Sequence, residues 1–84
     1  MKEKNIGVVT HYFSHLGVGI IKVEEDSLKV GDTVRFKGQT TDFQQTIASI
    51  QVEHKPVEEA RPGEVVGIKV EEHVREHDQV LKLI

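Results

Sequence analysis

The chain has 84 residues, no cysteine, and 30% charged side chains that sum to a net charge of −3. A chain of this size folds as one domain, here residues 1–84, and commits most of its apolar side chains to a single core. Disulfide frameworks and thiolate metal sites are excluded, and the acidic balance gives no overall attraction to phosphate.

The opening residues MKEKNIGVV lack the apolar stretch of a secretion signal, and no apolar run approaches a membrane span. Neither export nor insertion is expected, and the cytoplasm is the expected location. Lys4 to Phe13 is rich in β-branched and aromatic residues, with Ile6, Val8, Thr10 and Tyr12 alternating against Gly7, Val9, His11 and Phe13. It predicts a strand with apolar residues on both faces. A loop at Ser14 to Gly17 leads into a second strand, Val18 to Val23.

Glu24 to Ser27 is an acidic connection, and Leu28-Lys29-Val30-Gly31-Asp32 is a turn in which Leu28 and Val30 anchor inward. Thr33 to Lys37 alternates cleanly, with Val34 and Phe36 facing the core. After a polar loop at Gly38 to Asp42, Phe43 to Lys55 is the longest strand candidate, with a bulge near Ala48-Ser49 and its end at Pro56. Arg61-Pro62-Gly63-Glu64 carries a type II turn signature, Pro second and Gly third, and delivers the chain into a buried strand, Val65 to Val70. Glu71 to Asp78 is a charged connection with room for one helical turn, and Gln79 to Ile84 closes the sheet. Short strands punctuated by turns about every 8 to 12 residues predict an all-β fold, a six- or seven-stranded antiparallel β-barrel.

Several of these pieces occur in the same order in another group of proteins. Gly19-Ile20-Ile21-Lys22-Val23, Leu28-Lys29-Val30-Gly31-Asp32, the strand around Ile47 to Val52, Ala60 to Ile68, and Val74 to Leu81 together resemble the second domain of translational GTPases such as elongation factor Tu. The chain is also similar to the small barrel at the C-terminus of collagenase-like bacterial peptidases and to stand-alone elongation-factor-like proteins. The family's GTPase engine sits in a different domain, and no phosphate-cradling Gly-rich loop ending in Lys and Ser or Thr is present, so GTP is not an expected ligand. In elongation factor Tu a Glu and an Arg on the matching strand, and an Asn at the turn, contact the aminoacyl end of tRNA. The resemblance places those roles at Gln51, His54 and Val65. Gln51 can hydrogen-bond and His54 can stack, whereas Val65 does neither.

His73-Val74-Arg75-Glu76-His77 matches a zinc-protease spacing that requires both histidines on one helix, with Glu as general base. No long helix is predicted there, so a solvated loop is the expected state and no metal is assigned. No serine sits in a nucleophile elbow, and the paired carboxylates fall in turns. Neither catalysis nor a cofactor is expected. The segment holding His11, Tyr12, Phe13 and His15 combines aromatics and histidines where strand becomes loop, and alternation turns Tyr12 and Phe13 to opposite faces, leaving one for stacking. Lys22, Arg35, Lys37, Lys55, Arg61 and Lys69 fall on strands or corners and would form a basic patch if several share a face. The resulting expectation is a non-catalytic binding module that docks on RNA, or on a ribosome- or tRNA-associated complex, through His11, Tyr12, Phe13, His15, Gln51, His54, Lys55 and Arg61. The alternative is a protein-interaction module serving a peptidase-like enzyme.

Overall fold

Val, Ile, Thr and Phe recur at strand spacing along the whole chain, and in a computed structural model describing residues 2–84 every regular element is a β-strand. The strands are β1 (Glu3–Phe13), β2 (Val18–Val23), β3 (Leu28–Lys29), β4 (Thr33–Lys37), β5 (Asp42–Thr46), β6 (Ile50–Val52), β7 (Lys55–Val57), β8 (Glu59–Ala60), β9 (Val65–Lys69) and β10 (Gln79–Leu83). Eight of them form one antiparallel sheet in the order β5-β4-β10-β1-β2-β9-β6-β7, and β3 pairs with β8. The sheet curls around a core in which Phe36, Ile21, Leu28, Ile47, Ile50 and Ile68 are all but inaccessible to solvent. No helix among the described residues is long and apolar enough to cross a membrane.

The barrel closes through the short segment before β4, which pairs with the chain leaving β7. Gly31 N–H donates to Ile47 O at 2.8 Å and Ile47 N–H to Asp32 O at 2.8 Å, carrying the β4–β5 ladder one step beyond Thr33 and Thr46, while Val30 N–H donates to Glu58 O at 3.0 Å just past β7. Leu28 and Lys29 carry the same segment onward against Ala60 and Glu59. Backbone groups of the segment before β4 and of the chain after β7 are thus satisfied by each other.

Several local expectations are corrected. Phe43 to Lys55 is not one strand: β5 ends at Thr46, and β6 turns back on β7 through Glu53 and His54, both with positive φ (51° and 66°). That pair supplies the backbone of a tight two-residue hairpin without glycine or asparagine, so nothing in its composition announced a turn. Pro56 accordingly lies inside β7, where it needs no ladder N–H because β7 is an edge strand. The added hairpin and the short β3–β8 pair raise the strand count to ten.

Alternation in β1 is broken twice. The register shifts between Asn5 and Gly7 against β10, and between Val9 and His11 against β2. Each bulge inserts one residue and switches faces, so Ile6, Gly7 and Val9 are all buried while Val8 and His11 stand on the outer side. Val30 points outward at 40% exposure, because the turn it occupies is the closing segment rather than a core anchor. No helical turn forms in Glu71 to Asp78, yet Val74 within it is fully buried.

A candidate partner-binding face

Strand pairing aligns residues that are distant in the chain. His11 pairs with Ile20, Ile20 with Gly67, Gly67 with Gln51, and Gln51 with Pro56, forming one cross-strand row over β1, β2, β9, β6 and β7. Directly opposed residues share a face, so the row lies on the outer surface of the barrel. A second row on that face runs from Lys37 through Gln79, Val8 and Lys22 to Val65. Phe13, Val18 and Lys69 make a third, beside the His11 row.

Phe13 is 44% exposed and Val65 52% exposed, and the Phe13 ring lies 4.9 Å from that of His11. At Gly67 the missing side chain leaves room over which Val18 and Ile20 lean. The surface therefore offers an aromatic and aliphatic strip bordered by Lys22, Lys37 and Lys69. No carboxylate stands within 4.0 Å of these three lysines among the described residues.

The eight residues singled out from sequence do not converge on one point. His11, Phe13 and Gln51 share the outer face, and His54 sits in the hairpin turn that ends its row at the free edge. Lys55 pairs with Val52 and so leaves the hairpin on the side opposite Gln51. Tyr12 turns inward, packs on the core and stacks against His73 with ring centroids 4.5 Å apart. His15 is exposed in the β1–β2 turn. Arg61 stands at the far end of β2 from Phe13, since Gly63 N–H of its turn donates to Val23 O at 2.7 Å. Ile20, Lys22, Lys37 and Lys69 belong to the same surface as His11 and Gln51. Only the register could have placed them there.

Arg35 is removed from the basic set. It donates two 2.6 Å hydrogen bonds to the Asp42 carboxylate and further ones to Glu3 at 3.2 and 3.3 Å. These bonds hold Asp42 below its ordinary value of 3.8, against a smaller desolvation effect, and raise Arg35 further above its own. Arg35 is a spent charge.

Beside the Lys37–Gln79 end of the second row, the β4–β5 loop and the turn before β10 border an open cleft of about 860 Å³. Lys37, Arg75, His77 and Gln79 contribute to its walls. Gly38 lies so close to Asp78 that a Cβ there would collide with Asp78 Oδ1, which explains a glycine in this loop. His73 and His77 are not presented from a helix: the first stacks on Tyr12, and the second adopts a φ of 74° and lines the cleft.

Comparison with known proteins matches residues 17–77 to the family model for elongation factor Tu domain 2. An uncharacterized protease of Methanocaldococcus jannaschii is 40% identical over 83 residues, which is 98% of this chain and 20% of that protein. A collagenase of Porphyromonas gingivalis is 35% identical over 92% of this chain and 22% of its own length. Elongation factor 1-alpha of Pyrococcus horikoshii is 40% identical over 69% of this chain and 15% of its own length. The chain thus spans about a fifth of the curated relatives it matches. Among solved structures, the C-terminal domain of a protein named as a U32 peptidase from Geobacillus thermoleovorans superposes with a TM-score of 0.88 at 25% identity, covering 96% of this chain and 93% of that domain.

Proposed function

Since the chain belongs to the elongation factor Tu domain 2 family, we propose that it is a non-catalytic, cytoplasmic binding module that docks on RNA through the outer face of β1, β2, β9, β6 and β7. One observation carries this reading: the register sets His11 and Gln51 in a single outward row, with the exposed Phe13 beside it and Lys22 and Lys69 on its flanks. Bases stack on exposed aromatic rings, and unpaired lysines attract the phosphates between them. Gln51 supplies hydrogen bonds to a base or sugar edge, and His54 extends the contact at the free edge of the sheet. His15 and Lys55 lie at the margins, Tyr12 positions the loop from within, and Arg61 reaches only a partner that wraps to the far end of β2. The net charge of −3 makes the affinity depend on this local arrangement.

The test is capture from cell extract at low salt, with and without ribonuclease, followed by titration of labelled single-stranded RNA into the purified chain. RNase-sensitive recovery of RNA or ribosomal components is expected, with weaker binding by Phe13→Ala and Gln51→Ala. Recovery of no RNA would sink the reading.

A second reading has its own support. The chain aligns over almost its full length with parts of a protease and a collagenase, and with the C-terminal domain named as that of a U32 peptidase. On that reading the same face docks on the body of a peptidase-like enzyme. Capture of one protein, unaffected by ribonuclease, would favour it over RNA.

A further inference from the structure

We infer that the cleft between the β4–β5 loop and the turn before β10 is a phosphate-binding mouth, taking the backbone of the same RNA strand that crosses the outer face. The inference rests on the RNA reading above and adds a second, chemically distinct contact to it.

Continuity is the first argument. Lys37 and Gln79 line the cleft and also begin the outer row that continues through Val8 to Lys22. Three interstrand steps separate Lys37 from Lys22, about 14 Å at the backbone. A strand leaving the His11–Gln51 row past Lys22 therefore meets the cleft without lifting off the sheet.

Charge is the second. Lys37, Arg75 and His77 reach the cleft, and none has a carboxylate within 4.0 Å among the described residues. Two acids also line the cleft, one buried and one exposed. Asp78 is 4% exposed and its Oδ2 accepts the Arg75 N–H at 2.8 Å, while Glu76 Oε1 lies 3.9 Å from His11 Nδ1. Glu76 is thus turned toward His11, and Lys37 and Arg75, both exposed and outside any ion pair among the described residues, are the cationic donors offered to phosphate oxygens.

Rigidity is the third. The turn carrying Arg75 and His77 is bonded twice to Val9 of β1, His77 N–H to Val9 O at 2.8 Å and Val9 N–H to Asp78 O at 2.8 Å. It is closed on itself by Asp78 N–H to Arg75 O at 3.1 Å. Across the cleft, Gly38 N–H donates to Thr41 O at 2.8 Å. Both walls are thus held before any ligand arrives, which lowers the ordering cost of binding.

The experiment uses the full chain and a labelled single-stranded RNA of about twelve nucleotides, titrated by fluorescence anisotropy between about 50 and 200 mM salt. Lys37→Ala and Arg75→Ala are each expected to weaken binding about three- to tenfold and to lower the salt slope by about 0.7. Lys37→Arg should recover both, and Lys29→Ala, on β3, should change neither. Both cleft residues are exposed, and an unchanged urea midpoint would show that the variants remain folded. If Phe13→Ala weakens binding while Lys37→Ala and Arg75→Ala leave affinity and slope intact, the cleft is overturned and the outer-face reading survives. If cleft variants weaken binding and Phe13→Ala does not, the cleft stands and the outer face falls. If the wild-type chain binds no RNA at the lowest salt, both fail.

Discussion

The side-chain amide of Gln45 binds the main chain at Glu71 as a neighbouring strand would. Its Oε1 accepts the Glu71 N–H at 2.8 Å, and its Nε2 donates to Lys69 O at 2.9 Å, with the residue only 6% exposed. One glutamine therefore ties the β5 edge to the end of β9, where the backbone leaves its ladder. Gln45→Ala leaves a part-buried donor and a part-buried acceptor without their partner, and a loss of about 1 kcal/mol is expected in urea denaturation. A midpoint equal to wild type would show that the tie is dispensable.

The Arg35–Asp42 pair gives an acid-limb prediction. Hydrogen bonds from Arg35 hold the Asp42 carboxyl below its ordinary value, so its contribution is fully present above that value and is lost as the pH falls through the lowered one. The urea midpoint should decline below about pH 5, and Asp42→Asn should flatten part of that decline. The effect is modest because the Asp42 side chain is 54% exposed. Identical acid profiles for the two proteins would refute the assignment.

Glu53 and His54 hold two successive left-handed backbone conformations that L side chains adopt reluctantly. Replacing them together by Asn and Gly, the pair best suited to this hairpin, should stabilise the protein by about 1 to 2 kcal/mol, read as a rise in Tm. The same variant removes the His54 imidazole and should bind RNA more weakly. Unchanged or lowered Tm would mean that the turn is not strained.

Val74 is the one fully buried residue in an otherwise charged connection, and its Cγ2 packs over Gly19. Val74→Ala should cost about 2 kcal/mol in chemical denaturation, more than any exposed substitution in the same segment. A loss no larger than that of Glu72→Ala would contradict its burial.

Positions governed by local chemistry were legible in the amino acids. Thr33 to Lys37 buries Val34 and Phe36 as alternation requires, and Gly63 takes a φ of 92° with Glu64 N–H closing on Arg61 O at 3.0 Å. The Phe13 side of the Tyr12–Phe13 pair is the exposed one. The Glu53-His54 hairpin was not legible because neither residue prefers positive φ, and the long-range pairing of β6 with β9 imposes what propensity opposes. The candidate face was legible only in fragments, His11 and Phe13 in one stretch and Gln51 in another.

The amino acids alone determined an all-β chain, its principal turns, most of its core and its kinship with translation-factor barrels, because side-chain alternation and the φ preferences of Gly and Pro act within a few residues. Tertiary structure decided the two bulges of β1, the closure through β3 and β8, and the rows that bring His11 to Gln51 and Lys37 to Lys22. Those depend on which strands become neighbours and in what register, and one inserted residue reverses the face of everything beyond it.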